Sequence, residues 1–204
     1  NATPQSTLIV PRGTSVSDSS ITISAGLYPA GNYDKGIVSA SAFVSIINDD
    51  YEVVKTIGDI TTDRLIIKNF QTILVPGIYR VALFGKVELD NGETEEFEIF
   101  SNRFGVADPL AHDGRGAATW VSFPPSPKYP ARGAATLTDG IIGPMDWEWG
   151  DWLSFEGGDL EATLDLGKLM SIQNIQLHCL QNQGPYVFMP TKVYFSLSID
   201  GINF

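Results

Sequence analysis

The sequence predicts an all-β chain built from two β-sandwich domains. Three observations carry that reading. From residue 7 to residue 104, short stretches of alternating apolar and polar residues are broken by Gly, Asn, Asp and Pro, the pattern of antiparallel strands. No stretch of useful length carries the helical period, the one short candidate being Gly167–Gln173. Asp90-Asn91-Gly92-Glu93 stands between two apolar runs as a hairpin, expected as a type I′ turn because Asn-Gly readily adopts positive φ.

Seven strands are expected in the first domain, over Thr7–Val10, Ser20–Ala25, Val38–Ile47, Glu52–Thr56, Arg64–Asn69, Ile78–Leu89 and Thr94–Phe104. Ahead of the hairpin, Pro76-Gly77-Ile78-Tyr79-Arg80-Val81 sets a Tyr two residues after a Gly at a strand entrance, with Tyr79, Val81 and Leu83 on one face. This resembles the tyrosine corner of immunoglobulin-like sandwiches, in which the phenol bonds back to upstream backbone. A plainly buried Tyr is the alternative. The boundary falls near residues 105–112, at Val106-Ala107-Asp108-Pro109, giving domains 1–106 and 107–204. The proline-rich stretch Phe123–Pro130 resists regular structure.

In the second domain, Leu160, Ala162, Leu164 and Leu166 alternate with polar residues, and so do Ile175, Leu177 and Cys179; each run reads as a half-buried strand. Cys179 is the only cysteine, so no disulfide forms within the chain, no multi-cysteine zinc site exists, and the thiol is expected in the core. An apolar fraction of 43% with 18% charged residues is that of a folding chain rather than a disordered one. The net charge of −11 is shared, with 13 acids against 8 bases in residues 1–107 and 11 against 5 in residues 108–204. Neither half offers the basic stripe that nucleic acid or an anionic membrane requires. No apolar run reaches the length of a membrane span, and the polar start Asn1–Thr7 carries no signal-peptide pattern, as expected of a mature or trimmed chain.

Residues 133 to 204 hold four short motifs in order: Leu137-Thr138-Asp139-Gly140, Trp152-Leu153-Ser154-Phe155, Asp165-Leu166-Gly167 and Ser198-Ile199-Asp200-Gly201-Ile202-Asn203-Phe204. Each is common alone. Together they resemble coagulation-factor type C (discoidin-like) domains, a galactose-binding-like fold that includes carbohydrate-binding modules of family 32. The likeness is nearest to those appended to bacterial chitobiase or β-hexosaminidase-like glycoside hydrolases. The resemblance covers the second half and implies a discoidin-like jelly roll there; the first half reads generically as an immunoglobulin-like or fibronectin-like sandwich. The resemblance also implies further strands after Phe204, so the jelly roll is expected to be incomplete at its C-terminus.

The resemblance implies a structural calcium ion at the position of Asp139, since calcium takes six to eight oxygens from carboxylates and free carbonyls. Here Ile141 and Gly150-Asp151 stand where the family has Asn and Thr, and Asp139 as a plain turn former is the alternative. The loop Gly143–Trp152 crowds three indoles and three acids into ten residues. Trp152 reads as core. Trp147 and Trp149 are candidates to stack on the apolar face of a sugar, or else to pack. Asn182 and Tyr186, in Gln181-Asn182-Gln183-Gly184-Pro185-Tyr186, could read hydroxyls, with Arg132 contributing, although a solvated turn explains that loop equally.

Catalysis is not expected. Asp146, Glu148 and Asp151 share one loop without evidence of the facing pair a glycosidase needs. His112 and His178 stand alone, and there is no Gly-x-Ser-x-Gly elbow, no His-Glu-x-x-His and no phosphate loop. The expected function is a non-catalytic carbohydrate-binding accessory region of a secreted, periplasmic or cell-surface bacterial glycan-processing protein. Its expected ligand is a terminal sugar of the galactose or N-acetylhexosamine class. A structural spacer beside a hydrolase domain, or a surface lipoprotein module contacting a protein, are the alternatives.

Overall fold

The computed structural model describes residues 2–29 and 36–204. The chain is nearly all β and divides into two compact units, Asn1–Asp108 and Pro109–Phe204.

In chain order the first unit carries β1 (Gln5–Ile9), β2 (Thr14–Val16), β3 (Ile21–Tyr28), β4 (Ile37–Asn48), β5 (Val53–Thr62), β6 (Ile66–Thr72), β7 (Gly77–Leu89), β8 (Thr94–Phe100) and β9 (Phe104–Ala107). They form two sheets. The smaller has the order β1-β3-β6, and the larger runs β2-β9-β7-β4-β5 with β8 also on β7. Among the described residues of this unit, the pairings are antiparallel except that of β2 with β9. The alternation read in the sequence is the alternation of burial. Ile23 and Leu27 of β3, Val44 and Ile46 of β4, Val81, Leu83 and Val87 of β7, and Phe104 are fully buried in one apolar core. Each contributes about 1.5–3 kcal/mol by leaving water.

Local features lock this packing. Tyr79 donates its phenol proton to the Val75 carbonyl at 3.0 Å, so the tyrosine corner is present. Gly77 is required beneath it, because a Cβ there would stand 2.8 Å from the phenol oxygen. Gly85 plays the same part in the larger sheet. A Cβ on Gly85 would meet the Ser41 carbonyl oxygen at 2.2 Å and the Phe97 ring at 2.6 Å, so the ring occupies the space the glycine leaves.

Several expectations need correction. The strand expected over Thr94–Phe104 is two strands, because the Ser101 hydroxyl accepts the Val81 amide at 2.9 Å and donates to the Asn102 carbonyl, replacing ladder bonds with side-chain bonds. β2 was not foreseen, since three residues carry no readable period. The hairpin forms, but Gly92 alone takes positive φ (83°) and its amide bonds the Leu89 carbonyl, so this is a type I turn closed by a glycine bulge rather than type I′.

In the second unit, the ladder among the described residues is β10 (Ala118–Val121) against β11 (Ala162–Asp165), antiparallel, with Trp120 opposite Thr163. Short 3₁₀ turns occupy Gly133–Leu137 and Trp147–Trp149. The helical turn expected at Gly167–Gln173 does not form; Gly167 sits at φ +73°, outside the helical region. The strand expected over residues 175–180 is extended chain without a ladder, and Cys179 is exposed rather than core. Its alternation is a strand's, but alternation makes a strand only where a neighbour accepts the backbone bonds. What burial Cys179 has pushes its thiol pKa up.

Candidate functional site

The site begins at Arg132. Ala131 and Gly133 on either side both hold positive φ, +40° and +66°, so the chain reverses sharply around one arginine. Such a conformation is costly for Ala and persists where surrounding bonds enforce it. The Arg132 amide donates to Thr136 Oγ1 at 2.9 Å, tying the reversal to the 3₁₀ turn that follows.

That turn delivers Asp139. Its Oδ1 accepts the Ile141 amide at 2.8 Å, the Asx turn that an Asp-Gly pair favours, and its Oδ2 accepts Arg132 Nε at 2.6 Å. Gly140 follows at φ +77°, where a Cβ would stand 2.7 Å from the Leu110 carbonyl oxygen. Arg132 Nη1 donates to Asp151 Oδ1 at 3.0 Å. The Asp151 side chain has no exposed surface, whereas that of Arg132 retains 32% of its own. Burial pulls the Arg132 pKa down, but the hydrogen bonds and charges of Asp151 and Asp139 outweigh it and hold the guanidinium above its ordinary value. One cation thus clamps two carboxylates from separate segments of the chain.

With both Asp139 oxygens engaged by protein donors and a guanidinium at 2.6 Å, a calcium ion there would have to displace Arg132. The residues present at Asp139 do not fit that ion. The position expected for a metal holds a salt bridge and a turn.

Asp151 closes the loop that bears the indoles. Asp146 Oδ1 accepts the Glu148 amide at 2.9 Å and opens the 3₁₀ turn Trp147–Trp149; Gly150 at φ +91° ends it. Trp152 is fastened down, donating Nε1–H to the Pro144 carbonyl at 2.6 Å and lying over Gly143, where a Cβ would meet the indole at 2.8 Å. Trp147 and Trp149 are half-buried, so each keeps part of its ring in solvent. Tyr129 meets Trp147 edge to face, centroids 5.0 Å apart. The proline-rich segment runs beside this loop: the Ser154 amide bonds the Tyr129 carbonyl at 3.1 Å, and the Ser126 amide bonds the Ser154 carbonyl at 2.8 Å.

The structure therefore brings Arg132, Asp139 and the Trp147–Trp149 loop together through Asp151. Asn182 and Tyr186 belong to a different element, a four-residue turn closed by the bridge Asn182–Val187, with Tyr186 at φ +61° and 83% exposed. Two contributors were missed in the sequence. Asp151 was read as one acid among three and as a departure from the family's pattern, and nothing short of the fold pairs it with Arg132. Tyr129 lay unremarked in a proline-rich stretch.

No family model matches the chain, and no curated protein matches it. Among solved structures, the chain is similar to a cohesin module from a family 33 glycoside hydrolase of Clostridium perfringens, at 16% identity over 53% of this chain and 99% of that one, with a TM-score of 0.34. It is also similar to a CARDB domain from Pyrococcus furiosus solved with two metal ions, at 15% identity, 51% of this chain and 89% of that one, TM-score 0.31. A DUF4466 family protein from Parabacteroides merdae aligns at 8% identity over 59% of this chain and 47% of its own, TM-score 0.26.

Proposed function

We propose that this chain is a non-catalytic carbohydrate-binding accessory region of a secreted, periplasmic or surface glycan-processing protein, with the sugar held on the loops of the second unit. The observation that carries the reading is the Arg132 clamp. It fixes the loop of Trp147 and Trp149 against the Asp139 turn by charge-assisted bonds to Asp139 and Asp151, so two part-exposed indoles stand on an ordered frame. A half-exposed indole beside anchored polar groups suits the apolar C–H face and hydroxyl rim of a sugar ring. Galactose and N-acetylhexosamine ends are the class to which the discoidin-like motifs point.

The same geometry weighs against catalysis at this spot. A glycosidase needs one carboxyl free to give a proton and another free to attack or activate water. Asp139 and Asp151 instead both bond the Arg132 guanidinium, so neither carboxylate stands free for that work.

The test is titration calorimetry of the full chain with galactose- and N-acetylhexosamine-terminated oligosaccharides, against a Trp147→Ala/Trp149→Ala variant shown by circular dichroism to be folded. Binding by the parent that is lost in the variant supports the reading. A folded parent that binds no oligosaccharide leaves the spacer role as the better account.

A further inference from the structure

The outer face of the larger sheet in the first unit carries a second surface that the sugar-binding reading does not use. Strand register sets its rows. One row runs Asp59, Phe43, Phe84, Glu98 across β5, β4, β7 and β8, and the next runs Thr61, Ser41, Lys86, Glu96. A third places Ser39 opposite Glu88. These rows hold four carboxylates and a single ammonium. Phe43 stands among them 64% exposed, in the middle of a sheet, where a polar side chain would serve solubility better. An open trough of about 990 Å³ runs over Phe43, Phe84, Asp59, Lys86, Glu96 and Glu98.

The aromatic surface extends along the sheet. Phe84 meets Phe100 edge to face at 6.0 Å, Phe100 meets Tyr51 likewise at 5.6 Å, and the Arg80 guanidinium lies 5.9 Å over the Tyr51 ring. At this end of the sheet, Ile47 and Ala82 are fully buried outside the main core.

We propose that this face docks a basic, apolar polypeptide segment, with apolar side chains seated against Phe43 and Phe84 and Lys or Arg side chains meeting Asp59, Glu96 and Glu98. Charge complementarity selects the occupant. Four carboxylates against one ammonium across these rows, with an exposed phenylalanine among them, attract cations and repel a second copy of this acidic chain. Carboxylates accept hydrogen bonds and pair with guanidinium or ammonium groups, the chemistry of a basic peptide.

The experiment measures binding of the full chain to three immobilised synthetic peptides of equal length, alternating Leu with Lys, with Glu or with Ser, alongside a panel of neutral oligosaccharides. The Leu/Lys peptide is expected to bind, and to weaken as salt rises. Phe43→Ser and the pair Asp59→Lys/Glu98→Lys are each expected to weaken it about tenfold or more, as loss of a central contact does. The charge-matched control Asp18→Lys/Asp50→Lys, at residues of the same unit that do not line the trough, is expected to change affinity less than about twofold if the rim acts locally. Thermal melts confirm that each variant folds. Equal loss in both charge-reversed pairs, unchanged affinity in Phe43→Ser, no binding to the Leu/Lys peptide at millimolar concentration, or an oligosaccharide whose binding Phe43→Ser abolishes would each overturn the proposal.

Discussion

Replacing Arg132 with Met keeps the aliphatic stem and removes the charge, and the structure gives the size of the effect. Asp151 would keep a carboxylate with no exposed surface after losing the guanidinium that bonds it at 3.0 Å, and Asp139 would lose its 2.6 Å partner. Breaking one side of a buried ion pair costs about 3–5 kcal/mol, and the partial exposure of Arg132 places this case near the lower end, about 3 kcal/mol. All four tryptophans, at positions 120, 147, 149 and 152, lie in the second unit, so indole emission reports that unit's unfolding separately from the first. With a urea m-value of about 1.5 kcal/mol/M for a unit of this size, the emission midpoint should fall by about 2 M. The first unit, whose strands dominate the far-ultraviolet circular dichroism, should not move. Arg132→Lys reaches only one carboxylate at a time and should fall between. A midpoint shift in Arg132→Met below about 0.5 M would refute the clamp as the element that organises these loops.

Three other outcomes follow from the geometry. Gly85→Ala forces a methyl into the Ser41 carbonyl and the Phe97 ring, and should destabilise the first unit by about 3 kcal/mol, read by chemical denaturation with circular dichroism. Tyr79→Phe removes the corner bond to the Val75 carbonyl and should cost about 1 kcal/mol in the same assay, with the strand order unchanged. Asp200 accepts the Asn203 and Ile202 amides, which lowers its pKa below the usual carboxylate range. A lowered folded-state pKa gives stability that is present above the ordinary value near 3.8 and is lost as pH falls below it. The amide resonances of Ile202 and Asn203 should therefore hold their bonded positions at neutral pH and through mild acid, and move only in strong acid.

The first unit was largely legible because its alternation matches a single buried core. The Gly77-x-Tyr79 entrance disclosed its corner because three residues carry the whole motif. What escaped there depends on long-range pairing: β2 exists by lying parallel to β9, and Ser101 splits a strand by spending its hydroxyl on Val81. In the second unit the limits are stricter. Ile175, Leu177 and Cys179 alternate as a strand would, yet no neighbour takes up their backbone bonds. The candidate site was legible in its parts but not in its joining. Arg132, Asp139 and the indole loop each stood out by residue type, but the Arg132–Asp151 pair spans nineteen positions without any local pattern to announce it. Asp139 is a metal position by the resemblance and holds a salt bridge to Arg132 in three dimensions.

The most direct test of the central claim is a calorimetric titration of the full chain with galactose- and N-acetylhexosamine-terminated oligosaccharides, beside Trp147→Ala/Trp149→Ala. The account predicts saturable binding by the parent chain and none by the folded double variant. Binding that survives loss of both indoles, or a folded parent that binds none of these sugars, would contradict it.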